Sequence, residues 1–91
     1  MPTPEEIFKQ LIVEPDGWRV LAAIMIPPIR MALKALYAVE MTKDQEMAVE
    51  AELYKAHVMR KSSMNMEFGY REAVKLQDKL IQEFKGDVKM L

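Results

Sequence analysis

The sequence predicts an all-α fold, a small bundle of four to five helices forming one domain over residues 1–91. Three observations carry this expectation. Apolar residues recur at helical spacing along most of the chain, and no stretch alternates with period two. Two capping boxes, Thr3-Pro4-Glu5-Glu6 and Thr42-Lys43-Asp44-Gln45, mark helix starts.

The first helix is expected over about residues 4–13. Thr3 caps it, Pro4 suits its first position, and Glu6 closes the capping box and complements the positive end of the helix dipole. Ile7, Phe8, Leu11 and Ile12 form its apolar stripe, and Glu14-Pro15-Asp16-Gly17 ends it with turn residues. A second helix is expected over about 18–25 and a third over 28–40, meeting at a proline corner. Ile26 precedes a proline and is biased out of the helical region, whereas Pro28 suits the first position of a new helix. Ile29, Ala32, Leu33, Leu36 and Tyr37 would then face inward. Because only ten uncharged residues separate Arg19 from Arg30, and a bilayer core takes about twenty apolar residues in succession, no membrane span is expected.

The Thr42 box opens a helix over about 43–60 with two apolar faces. Met47, Ala51, Tyr54 and Val58 line one side, and Val49, Leu53 and Ala56 the other. A helix apolar on both sides is central in a bundle or sandwiched between subunits. Ser62, Ser63 and Asn65 suggest a break or sharp bend. The last helix, about 66–85, carries Tyr70, Ala73, Val74, Leu80, Ile81 and Phe84 on one stripe. Gly86 and Asp87 end it, leaving Val88 to Leu91 as a tail.

Composition narrows the function. The chain has 91 residues and no cysteine, which excludes disulfides, thiolate zinc sites and thiol catalysis and fits a reducing, cytoplasmic setting. Thirteen Lys and Arg against fourteen Asp and Glu leave no basic excess, so nucleic acid is an unexpected partner. The acidic start, Met1 to Glu6, does not resemble a secretory or mitochondrial signal. Nine methionines in a chain that is 51% hydrophobic suggest more apolar surface than one small monomer hides.

Chemical motifs are sparse. Glu46, Glu50 and His57 lie along one line of the fourth expected helix, but helical di-metal sites use Glu-x-x-His, and Tyr54 stands three before His57. No metal or other cofactor is expected, and His57 reads as a partly exposed histidine. Arg19, Arg30, Lys34 and Gln82 are the residue types of an all-helical chorismate mutase. That likeness is one of size, because those enzymes build the site on one long first helix, which Pro15, Pro27 and Pro28 oppose. The three isolated glycines form no phosphate loop. One histidine without cysteine makes a nucleophilic triad hard to assemble, and the paired prolines and neutral charge oppose a helix-turn-helix reader.

One stretch is similar to a known family. Pro15-Asp16-Gly17, Pro28-Ile29-Arg30, Leu33, Tyr37 and Val39-Glu40 lie in a segment, about residues 11–40, that resembles the N-terminal arm of tailed-phage-type major capsid proteins. Lys34 stands where that arm has an acidic residue, and the helical pattern after Thr42 replaces the β-rich shell body. The resemblance therefore implies a small virion or assembly component rather than a shell protein.

Together these features predict a non-enzymatic helical protein that self-associates or docks to a larger assembly, in the cytoplasm or a virion. The expected contact residues are Trp18, Met25, Ile26, Pro27, Pro28, Ile29, Arg30 and Met31, with Val49, Leu53 and Ala56 as a second face. Arg30 would serve as an oriented anchor. The alternatives are a small regulator that binds nucleic acid or inhibits another protein, and a helical metal-carboxylate or chorismate-mutase-like enzyme.

Overall fold

The computed structural model describes residues 1–61 and 67–86, which form four helices: α1 (Pro4–Leu11), α2 (Gly17–Tyr37), α3 (Lys43–Lys61) and α4 (Tyr70–Gly86). The described residues contain no strand. The expected break at Ser62 to Asn65 and the expected tail from Val88 lie outside them. The last helix, expected from about Met66, starts at Tyr70 instead, and residues 67–69 precede it without helical structure.

Both N-terminal boxes mark real starts. The Thr3 hydroxyl accepts a hydrogen bond from the Glu6 amide at 3.2 Å. At α3 the box is reciprocal: the Gln45 amide donates to Thr42 Oγ1 at 3.1 Å, and the Thr42 amide donates to Gln45 Oε1 at 2.9 Å.

The proline corner is not there. Residues 17–37 form one continuous helix, with Pro27 and Pro28 inside it. Each proline removes an amide that would have bonded four residues back, freeing the carbonyls of Ala23 and Ile24. All four residues lie on the exposed side, where water can bond those carbonyls. The opposite side holds Leu21, Ala22, Met25, Ile29 and Leu33, all buried, in a stripe that crosses the proline level without interruption. Burial of that stripe outweighs the local preference of two exposed residues. α2 then ends at Tyr37, short of the expected Glu40. Ala38 takes the left-handed conformation (φ 54°, ψ 37°). The Val39 amide bonds the Leu33 carbonyl and the Ala38 amide the Lys34 carbonyl, each at 3.1 Å, in a Schellman motif.

α2 touches all three other helices. The Trp18 and Tyr54 rings meet edge-on at 5.1 Å, and Arg30 pairs with Glu46 at 3.0 Å, so α3 runs antiparallel to α2. Ile24 and Pro28 border Tyr70, Val74 and Gln77, while the Lys85 ammonium sits over the Tyr37 ring at 4.9 Å; α4 therefore runs in the direction of α2. α1 lies across α2 and α4. The core fills the space between them: Phe8 and Ile12 from α1 and its cap, the α2 stripe, Val49, Leu53 and Ala56 from α3, Phe68, and Ala73, Leu80, Ile81 and Phe84 from α4.

Two close approaches depend on glycine. A Cβ on Gly17 would overlap the Leu11 carbonyl oxygen, so the start of α2 abuts the end of α1 only because Gly17 has none. A Cβ on Gly69 would collide with the Glu5 carboxylate. That carboxylate accepts from the amides of Tyr70 (2.7 Å) and Arg71 (3.3 Å), while Glu72 accepts from the Gly69 amide at 2.9 Å. A side chain of α1 thus caps the N-terminus of α4.

Two outcomes follow for stability. Replacing Pro27 and Pro28 together by alanine restores two helix hydrogen bonds on the solvent side, and chemical denaturation should show a gain of about 1–3 kcal/mol with helical circular dichroism retained. A loss would mean that core packing requires the local geometry the prolines impose. Ala38→Gly should add roughly 1 kcal/mol by the same measurement, because glycine enters the left-handed region without the Cβ clash.

Candidate contact surface

The expected contact residues divide into two groups. Met25, Ile29, Val49, Leu53 and Ala56 are in the core of the chain itself, each at most 4% exposed. Trp18 and Ile26 are half-buried against it. Pro27, Pro28, Arg30 and Met31 are exposed. The structure thus splits the α2 candidates by helix face, which a run of consecutive residues could not do.

On α3 the two apolar faces are exchanged relative to the expected contact set. Val49, Leu53 and Ala56 pack inward, while Met47, Tyr54 and Val58 are exposed large apolar side chains, with Ala51 exposed between them. On α2 the outward residues Val20, Ala23, Pro27, Met31 and Ala35 recur every three or four positions, one helical stripe opposite the buried one, while Ile24 and Pro28 border the hollow against α4. Met31 and Met47 are 71% and 56% exposed. Sequence periodicity showed both α3 faces as apolar but gave no sign of which one the chain's own core takes.

The two outward stripes lie side by side. α2 and α3 are joined along a seam by the Trp18–Tyr54 ring contact at one end and the Arg30–Glu46 pair at the other. On each helix the outward stripe and the buried stripe flank that seam on opposite sides. Met31, Met47, Tyr54 and Val58 are exposed, so no other described element covers them. Four methionines among the described residues, Met1, Met31, Met47 and Met59, are exposed.

The cations of α2 are each held by a neighbouring acid. Arg19 pairs with Asp16 at 4.0 Å, Arg30 with Glu46 at 3.0 Å and Lys34 with Glu40 at 3.6 Å. Arg19 also lies over the Trp18 ring at 4.9 Å. Arg30, expected as an anchor toward a partner, is paired with Glu46 of its own chain. Three open hollows, of about 330, 470 and 250 Å³, are lined mainly by α3–α4, α1–α4 and α2–α4 residues, and none by Arg19, Arg30, Lys34 or Gln82.

His57 departs from expectation. It is 7% exposed, with Nδ1 at 2.7 Å from the Ile12 carbonyl oxygen at the end of α1. A carbonyl oxygen only accepts, so Nδ1 carries the hydrogen and the ring ties α3 to α1. Glu46 turns to Arg30 and Glu50 is exposed. The line of Glu46, Glu50 and His57 therefore does not converge. Among the described residues no three His, Cys, Asp or Glu side chains gather as metal ligands would.

Continuity through the prolines makes α2 longer than either helix expected there. α2, with 21 residues, is long and apolar enough to cross a bilayer by length and composition alone, a test that core helices of water-soluble proteins also pass. In this fold its inner stripe is the centre of the protein core. Compared with protein-family models, curated proteins and solved structures, the chain matches none.

The His57 tie has a measurable consequence. His57→Leu keeps the volume but leaves the Ile12 carbonyl without its donor, so denaturation should show a loss of about 1–3 kcal/mol. Glu46→Gln and Glu50→Gln, on the surface, should each cost less than about 1 kcal/mol.

Proposed function

We propose that this is a non-enzymatic helical assembly protein whose working surface is the joined outer face of α2 and α3. One observation carries the reading: two adjacent outward stripes, Val20 and Met31 on α2 and Met47, Tyr54 and Val58 on α3, stay exposed although a buried core lies beneath them. Isolated apolar side chains on a surface are ordinary, whereas a contiguous apolar face marks a contact site. Methionine suits such a face because its flexible thioether adapts to the partner's shape.

Protein contact accounts for this better than burial in a bilayer. Moving α2 into lipid would expose the core faces of α3 and α4 and part Arg30 from Glu46. Association of folded units leaves both intact. The resemblance of residues 11–40 to a capsid-protein arm suggests a virion or its assembly as the setting. It is consistent with a short chain that contributes an apolar helical surface to something larger.

Light scattering over a concentration series tests the reading. The wild-type chain should exceed its single-chain mass of 10.6 kDa at high micromolar concentration. Met31→Glu and Met47→Glu should each shift it toward that mass while changing folding stability by no more than about 0.5 kcal/mol. A chain that stays at 10.6 kDa, with both variants indistinguishable from it, would remove the support.

A further inference from the structure

Resting on that reading, we infer that the α2–α3 face is covered by a second copy of the same chain, with α2 of one copy lying across α3 of the other about a two-fold axis parallel to both helices.

Charge selects this arrangement. Residues 17–37 carry Arg19, Arg30 and Lys34 and no acid, whereas the first half of α3 carries Asp44, Glu46, Glu50 and Glu52 against Lys43 alone. Crossing α2 on the α2 of a second copy sets three cations against three, and like charges brought together at an interface oppose association. Crossing α2 on α3 sets Arg30 against the acidic half, because Arg30 is level with Glu46, while Arg19 comes level with Tyr54 and Lys34 with the segment before α3.

A two-fold axis parallel to the helices preserves those heights. Each outer stripe of α2 then meets an outer stripe of α3, so the contact is self-complementary and closes at two copies. The Arg30–Glu46 pair lies on the seam, half open to solvent. The axis therefore brings two such pairs together, each arginine gaining a second carboxylate nearby. Four helices, two from each copy, enclose the contact with outward apolar residues in the position of a bundle core.

The test uses the absence of cysteine. Ala23 lies close to the midpoint of Trp18 and Arg30, and Ala51 lies close to the midpoint of Tyr54 and Glu46, so the two are nearly level and both exposed. Ala23→Cys and Ala51→Cys are made separately, mixed, and treated with a short bismaleimide linker. The expected product is a crosslinked pair containing one chain of each kind, with far less from either variant alone, and light scattering showing twice 10.6 kDa. A double-mass species in which Ala23→Cys links chiefly to itself would overturn the arrangement while leaving self-association standing. A single-chain mass with binding to anionic vesicles, abolished by Met31→Glu, would replace the second copy with a membrane surface. A single-chain mass with no effect of Met31→Glu or Met47→Glu on any binding would overturn this inference and the proposed function together.

Discussion

The buried stripe of α2 is the constraint on which the rest of the structure depends. Leu21, Ala22, Met25, Ile29 and Leu33 fall on one side of a continuous helix, and α1, α3 and α4 all pack against α2. Breaking the helix at Pro27 would put Met25 and Ile29 out of phase and divide the core between them. The cost of keeping it whole is two freed carbonyls on the wet side. That side also carries the exposed apolar stripe, so the prolines contribute rigid surface to the outer face while the inner face remains regular. One helix sets both the core and the candidate contact surface, and the prolines belong only to the second.

Polar ties at the helix ends fix how the other elements sit on that centre. Glu5 reaches from α1 to cap the first amides of α4, through space that Gly69 leaves open. His57 reaches from α3 to the last turn of α1. Gly17 allows α2 to begin against the end of α1. α1 has only eight residues, too few to form stably alone; its own Glu5 ties its start to α4, and the His57 side chain of α3 holds its end. Each tie satisfies a backbone group that a helix terminus leaves open, so stability and orientation come from the same contacts.

Much of this was legible in the sequence because it rests on local chemistry. Thr3 and Thr42 cap the helices they precede, and Phe8, Ile12, Ile29, Leu33, Leu80 and Phe84 keep their helical spacing in the core. What the sequence hid was decided by tertiary contact. A proline pair reads as a helix breaker until its neighbours are known to face solvent and the residues around it to be buried. Ala38 gives no sign of a left-handed cap, since glycine is the usual residue there. His57 looks like a surface histidine because its partner, the Ile12 carbonyl, is distant in sequence. Glu5 reads as a residue of its own helix, although its main contact is the start of α4.

The candidate surface shows the same division. Helical spacing located two apolar faces on α3, a property of the chain alone. Which face turns inward depends on how α2 and α4 approach, and Val49, Leu53 and Ala56 go in because α2 meets them there. With those residues committed to the core, Met47, Ala51, Tyr54 and Val58 are left outside beside the outer stripe of α2. An interior face that is already well packed has no need of a second apolar face behind it. The helix propensity of α3 would be served as well by lysine and glutamate at those positions. Tyr54 also packs against Trp18, but folding alone does not account for Met47 and Val58, and the proposed association would give those exposed apolar residues a role.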